Sequence, residues 1–238
     1  MERSVFNASY VSEVIEGLTA TEWISENVLT DGFLGTQGFS LQFTREGISK
    51  VRARLPVLNQ YLDLIEGSTG LLALRPSWHR WLKPTNDPKP NAFYLNFLEV
   101  PVGDCVNPHV DGTLSLKHGF SWSPPIFNTV MYLRVLPNSA RFALRLPGKS
   151  PKYFEEQDGD VLYFRGDCIH SLDRLGEDFV DPGDHRTRLS LVCEQYYFSE
   201  EMLTKVPLMK LESKDAFKRV LEKRQQQGIE KDEVDILI

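Results

Sequence analysis

His109-Val110-Asp111 places an imidazole and a carboxylate two positions apart, and His170 and then Arg188-Leu189-Ser190 follow along the chain. Side chains two apart in an extended segment leave the backbone on the same face, so one strand end can offer both groups to a single ion. A second histidine arriving from a neighbouring strand completes two nitrogens and one oxygen. That ligand set holds non-haem Fe(II) on one face and leaves the opposite face open for a co-substrate and O2. An arginine shortly after the second histidine supplies a planar, permanently charged fork for a carboxylate. These residue types point to an iron site with a dicarboxylic acid docked beside it. A bare His-x-Asp pair is common by chance, however, and each member reads equally well as a surface loop residue, so the surrounding elements must carry the argument.

Those elements change character along the chain. The first third, residues 1–90, reads as mostly helical: apolar residues recur at helical intervals in Ser9–Leu18, Thr21 with Trp23 and Ile24 opens or continues a second segment, and Ile48, Val51, Leu55, Leu58, Leu62 and Ile65 form a stripe that Pro56 must kink or split. Pro84, Pro88 and Pro90 mark a loop to the next part. From residue 91 to 198, runs of strand formers follow: 92–100, 129–135, 141–146, 160–164 and 188–193. Pro137-Asn138-Ser139 and Asp158-Gly159 read as turns between them. Short strands separated by turn residues predict an antiparallel sandwich or jelly roll. In the extension 199–238, Ser213 caps an expected charged helix running to about Gln227. The expected fold is α+β with a mainly β core: one domain, a jelly roll with N-terminal helices packed outside and a C-terminal helix.

The motif pieces occur in a recognisable order. His109-Val-Asp111 precedes Gly159-Asp160-Val-Leu-Tyr-Phe164, then His170, then Arg188-Leu-Ser190. In this the sequence resembles the Fe(II)/2-oxoglutarate-dependent dioxygenase superfamily over about residues 91–198. The resemblance implies Fe(II) bound by His109, Asp111 and His170. It also implies 2-oxoglutarate chelating the metal through its 2-oxo acid end, with Arg188 gripping its distal carboxylate and Ser190 adding a hydroxyl. Arg186 shares a face with Arg188 and competes for that role, and either arginine could instead pair with the acidic loop Glu177–Asp184. Tyr94 and Asn96 alternate on the strand leading to the metal motif, where related enzymes place polar contacts to the co-substrate; they read equally as a core tyrosine and a strand-end asparagine.

Several residues fall outside this assignment. Asp160 is a ligand by type but follows Gly159 as a turn or strand cap. His79 and His118 read as structural or pocket-lining. Leu114–Asn128, with Phe120, Trp122, Phe127 and Pro124-Pro125, suits either an ordered loop that keeps water from the site or a packed surface loop. The chain departs from prolyl-hydroxylase-like members, which often carry Gly-Gly-Glu-Leu after the motif strand and many of which use lysine where Arg188 stands; here the stretch is Asn138-Ser-Ala-Arg-Phe142. Halogenating relatives replace the carboxylate ligand with glycine or alanine. Asp111 is present, so hydroxylation or a related oxidation is preferred over halogenation.

Composition narrows the partners. The 238 residues are 41% hydrophobic and 25% charged, with a formal net charge of −6, an ordinary globular balance with no basic stripe for nucleic acid. No run reaches the roughly eighteen apolar residues of a membrane span, and MERSVFNASY lacks the apolar core of a secretion signal. Asn7-Ala-Ser9 is therefore read as a sequon without consequence. Three cysteines, Cys105, Cys168 and Cys193, fit neither a zinc knuckle nor a disulfide framework and are expected as buried free thiols in a cytoplasmic protein. The expected function is hydroxylation of an unactivated C–H bond in a small polar metabolite, such as an amino acid or derivative, whose carboxylate would need a further cation; Arg75, Arg80 and Arg134 are the candidates. The rivals are an oxygenase acting on a protein side chain or an alkylated nucleobase, and a jelly-roll binding protein without redox chemistry.

Overall fold

Alternation of side chains along five long or medium strands builds one large sheet with two different faces. The computed structural model describes residues 5–21, 25–26, 37–67, 89–136, 140–145, 149–173 and 186–212. Helix α1 (Ala8–Thr19) comes first, followed by the strands β1 (Ser25–Glu26) and β2 (Gln37–Thr44), then α2 (Ile48–Arg54), a 3-10 turn at Pro56–Leu58, and α3 (Asn59–Glu66). The remaining strands are β3 (Ala92–Pro101), β4 (Val106–His109), β5 (Phe127–Arg134), β6 (Arg141–Arg145), β7 (Lys152–Tyr153), β8 (Val161–Arg165), β9 (Ile169–Asp173), β10 (Thr187–Tyr196) and β11 (Met209–Glu212), with a short helix, α4 (Thr113–Lys117), between β4 and β5. The major sheet has the order β1-β2-β3-β10-β5-β8 with β11 also on β2, and the minor sheet has the order β4-β9-β6-β7. Every pairing is antiparallel. This is the jelly-roll arrangement that the strand pattern predicts.

Odd-numbered residues of the major sheet face outward. Phe39, Leu41, Phe43, Phe93, Leu95, Phe97, Leu189 and Leu191 pack there against Val14 and Leu18 of α1, Val51 of α2, and Tyr61 and Leu62 of α3. Each such buried side chain contributes about 1.5–3 kcal/mol. The Tyr61 hydroxyl also shares a hydrogen bond of 3.0 Å with Thr129 on β5. Even-numbered residues face the minor sheet. Leu98, Val130, Tyr132, Leu162 and Phe164 meet Val106, Phe142 and Leu172 there. The inner layer is less purely apolar than the outer one, and that is where the polar candidates lie.

Pro56 divides α2 from α3 through the 3-10 turn, as its ring requires. Asn7 is not idle: its side chain caps α1 by accepting from the Tyr10 N–H at 2.9 Å. Gly159 supplies a turn at φ +83°, with its own N–H donating to Tyr132 O and its carbonyl accepting from Phe6 N–H. Two elements differ from the sequence reading. Gln37–Thr44, inside the stretch read as helical, is a strand seated between β3 and the edge, and Met209–Glu212, inside the stretch read as a helical extension, pairs with it. The large sheet is thus wider than residues 91–198. The turn at 137–139, Trp23 and Ile24, Pro84 and Pro88, the acidic loop 177–184 and the helix expected from Ser213 lie outside the described residues. No helix among the described residues is long and apolar enough to cross a membrane. Of the three free thiols, Cys168 and Cys193 are buried and Cys105 is half-buried.

Candidate metal centre and adjoining pocket

The minor sheet brings the two histidines together. His109 ends β4 and is the register partner of His170 on β9, after a shift in the ladder between Val106 and His109. Such bulges re-aim side chains beside functional sites. The imidazole centroids are 4.3 Å apart. Asp111, two residues on, brings Oδ1 to 3.4 Å from His109 Nε2 and Oδ2 to 3.3 Å from His170 Nε2. One ligand atom from each residue lies within 4.8 Å of the others, and all three side chains are buried.

Backbone carbonyls decide which nitrogen of each ring faces the centre. His109 Nδ1 lies 2.7 Å from Asn107 O, and His170 Nδ1 lies 3.1 Å from Cys168 O. A carbonyl can only accept, so each Nδ1 carries the hydrogen and each Nε2 turns its lone pair inward, as a metal ligand must. Phe142 and Phe164 fix the His170 ring, with centroids 5.9 and 4.8 Å away. Burial pushes His170 down to about 4 and keeps it neutral at ordinary pH. Burial alone would raise Asp111, but His170, His109 and a hydrogen bond from Asn128 outweigh it and hold the carboxyl below its usual range. Two inward-facing imidazole nitrogens and one carboxylate therefore converge, which fits a divalent ion of the Fe(II) type.

Two residues of the major sheet hold the loop that carries Asp111. Asn128 Nδ2 donates to Asp111 Oδ2 at 2.6 Å. Glu194, its register partner on β10, accepts from the Thr113 N–H at 3.1 Å and from the Thr113 hydroxyl at 2.6 Å. Tyr196 also donates its hydroxyl to Glu194. Burial, then the nearby Asp111, pushes Glu194 up to about 8. Neither Asn128 nor Glu194 is marked by a sequence motif. The available signal is parity: Glu194 lies on the same face of β10 as Arg188 and Ser190.

A pocket open to solvent at its mouth joins the triad to Tyr94, Asn96, Tyr132, Arg188 and Ser190. Arg188 is buried, whereas Arg186 is exposed, which separates the two arginines. The guanidinium donates to Ala140 O at 3.2 Å, meets Glu156 Oε1 at 3.1 Å and stands 5.0 Å from the centroid of the Tyr132 ring. The buried Tyr132 hydroxyl has no hydrogen-bond partner among the described residues. Asn96 is engaged by Ser40, and the Tyr94 hydroxyl donates to Glu212 at 3.4 Å, so both contribute to the wall while bonded within it.

The other candidates take different places. Asp160 accepts from the Gln157 N–H at 3.1 Å, as a turn residue does. The His118 ring contacts Gln42 Oε1 at 2.8 Å and is not part of the triad. Arg134 does not line the cavity, and His79, Arg75 and Arg80 lie outside the described residues. Within 114–128, α4 follows the metal loop, Phe120 packs on Phe198 with centroids 5.2 Å apart, and Trp122 lies against Gly112, whose Cβ would meet the indole Nε1 at 2.4 Å.

No family model and no curated protein matches this sequence. Solved structures do match. A prolyl-4-hydroxylase from Pseudomonas putida is similar over 82% of this chain and 90% of its own, with 15% identity and a TM-score of 0.50. An oxidoreductase of the 2OG-Fe(II) oxygenase family from Burkholderia pseudomallei is similar over 81% of each chain, with 14% identity and a TM-score of 0.52. The fold is that of the 2-oxoglutarate/Fe(II) oxygenases. Within this oxygenase fold the triad joins the two sheets: His109 and His170 come from the minor sheet, and Asp111 is tied to the major sheet through Asn128.

Proposed function

We propose that this protein is a non-haem Fe(II)/2-oxoglutarate oxygenase that hydroxylates an unactivated C–H bond of a small polar metabolite, an amino acid or a derivative of one. The observation that carries the reading is the convergence of His109, Asp111 and His170, with both Nε2 lone pairs inward, on a cavity that also holds a buried arginine. His109, Asp111 and His170 would hold the iron, and Arg188 with Ser190 would take the distal carboxylate of 2-oxoglutarate. Tyr132 is a further donor for that end of the co-substrate. When bound, the metal with the keto acid and O2 would supply the oxidation, in which 2-oxoglutarate would give succinate and CO2, with one oxygen atom going to the succinate and the other to the substrate C–H bond.

The chain's own part is positioning and exclusion. The two Nδ1–H groups keep the imidazoles in the ligating tautomer. Asn128 holds one oxygen of Asp111. Trp122, packed against Gly112 in the loop between Asp111 and α4, would limit water on that side of the metal. A small substrate is supported by the burial of all three ligands. The net charge of −6 speaks against a phosphate backbone as partner. The hydroxylase part of the reading draws on the prolyl-4-hydroxylase among the structures that share the fold.

Anaerobic addition of Fe(II) and 2-oxoglutarate should give a visible charge-transfer band in the wild-type protein and none in Asp111→Ala. Aerobic incubation with an amino-acid panel, a proline-containing peptide and methylated nucleobases, read by mass spectrometry for gain of one oxygen atom, then selects the substrate class. Full iron-dependent succinate production by Asp111→Ala would sink the oxygenase reading, and oxygen gain confined to peptide or nucleobase would sink the small-metabolite part.

A further inference from the structure

Arg188 does not meet the cavity as an isolated positive charge. Glu156, on the loop between β7 and β8, places Oε1 3.1 Å from Arg188 Nη2, and the same oxygen accepts from the Phe142 N–H at 3.1 Å. Both side chains are almost fully covered, at 2% exposure for the arginine and 5% for the glutamate. Glu156 is absent from the cavity wall and stands behind the guanidinium, whereas Arg188 is part of that wall. In such a dry setting a neighbouring carboxylate offsets much of the positive potential that the arginine presents to a ligand, because little solvent screens the pair.

Resting on the oxygenase reading above, we propose that Glu156 determines the co-substrate specificity of this site by weakening its preference for a charged tail on the 2-oxo acid. An incoming distal carboxylate must share the guanidinium with Glu156 and lie close to a like charge, which costs binding energy. A tail of the same shape without charge keeps the hydrogen bonds of its oxygen and meets no such repulsion. The site accordingly accepts 2-oxo acids of the length of 2-oxoglutarate whose far end is a carboxylate or a carboxamide. Substituting Glu156 by glutamine keeps an acceptor for Phe142 N–H and Arg188 but removes one carboxylate charge from the guanidinium, so the charged tail gains advantage.

The experiment titrates 2-oxoglutarate and 2-oxoglutaramate, in which the distal carboxylate is an amide, into the anaerobic Fe(II)-loaded protein and measures Kd by calorimetry, each Kd being referred to the open-chain 2-oxo form because the free amide cyclises onto its 2-oxo carbon. In wild-type protein the amide should bind within about tenfold of the acid, whereas an uncompensated buried arginine would penalise the loss of its charged partner by on the order of a hundredfold. In Glu156→Gln the preference for the acid should rise by about tenfold. An unchanged or smaller preference in the variant overturns the assignment of Glu156, as does a wild-type penalty of about a hundredfold or more, and the wild-type arm stands even if the variant does not fold. Failure of wild-type protein to bind either acid overturns the oxygenase reading and this inference with it; binding with an unchanged preference overturns only the inference.

Discussion

Asn128 and Glu194 are register partners across the β5–β10 ladder, and both reach to the loop that carries Asp111: one donates to the Asp111 carboxylate, the other accepts from Thr113. One rung shared by two adjacent strands of the major sheet thus fixes the exit of the metal-binding strand of the minor sheet. Asn128→Ala should weaken metal binding by about ten- to a hundredfold, the usual cost of losing a partner that orients a ligand. Asn128→Asp should weaken it further, because it sets a second carboxylate against Asp111. Titration with Fe(II) or Co(II) under anaerobic conditions measures both. Unaltered affinity in Asn128→Ala would show that Asp111 is oriented by its backbone alone.

Arg188 and Arg186 share strand parity yet have opposite exposures, so substitution separates them. Arg188→Lys keeps the charge but loses the planar fork, and it should raise the KM for 2-oxoglutarate by at least about tenfold while leaving metal affinity unchanged. Arg186→Ala, on the exposed side, should leave both near wild type. Steady-state kinetics with varied 2-oxoglutarate is the check. The reverse pattern would move the co-substrate away from the cavity that Arg188 lines.

The parts of this molecule that can be read from sequence are those in which local pattern and tertiary role coincide. The strands of the 91–198 region alternate clearly, so their faces follow from parity, and Pro56 splits its helix as a ring without an N–H must. The strand Gln37–Thr44 carries the same alternation in Phe39, Leu41 and Phe43, but helical segments flank it and its partners β3 and β11 are distant in sequence, so nothing local separates it from them. The triad is legible because metal binding demands particular residue types at a fixed spacing. Asn128, Glu194 and Glu156 are not, because an amide or a carboxylate acquires its role only from the register that sets it opposite a partner. Glu156 lies 32 residues before Arg188 on a different element, and no spacing rule joins them.

Asp173 ends β9, three residues beyond His170, and offers a pH test away from the metal ligands. Its partial burial raises the carboxyl, but hydrogen bonds from Ser171, Arg145 and Tyr153 outweigh that and lower it below its ordinary value. A carboxylate depressed in the folded state stabilises the fold above its unfolded pKa, and that contribution is lost as pH falls through the folded value. Wild-type protein should therefore lose this contribution only below about pH 4. Asp173→Asn should be less stable at neutral pH and show a shallower acid loss. Because solvent reaches the Arg145–Asp173 pair, the difference should be about 1 kcal/mol or less. Urea unfolding of both proteins between neutral pH and the acid limb measures it, and identical acid limbs would show that the network contributes nothing.

Two glycines meet different neighbours, and alanine at each should have opposite consequences. At Gly159, φ is +83° and a Cβ would lie 2.3 Å from the Phe6 carbonyl oxygen. Backbone on both sides leaves no room to yield, so Gly159→Ala should destabilise the fold by more than about 1 kcal/mol and loosen the contact between α1 and the sheet. At Gly112 the obstacle is the Trp122 indole, 2.4 Å from the added carbon. Trp122 is 41% exposed and can swing away, and the Gly112 backbone is extended, so Gly112→Ala should change stability little. Its effect should fall on the loop beside Asp111. With the indole displaced, the tryptophan emission should shift to the red, and 2-oxoglutarate consumption should become less tightly coupled to substrate hydroxylation because water reaches the metal side more easily. Thermal unfolding, emission spectra and the ratio of succinate to hydroxylated product separate the two variants. A large loss of stability in Gly112→Ala, with tight coupling preserved, would mean that Trp122 is a structural buttress for the loop and does not shield the site.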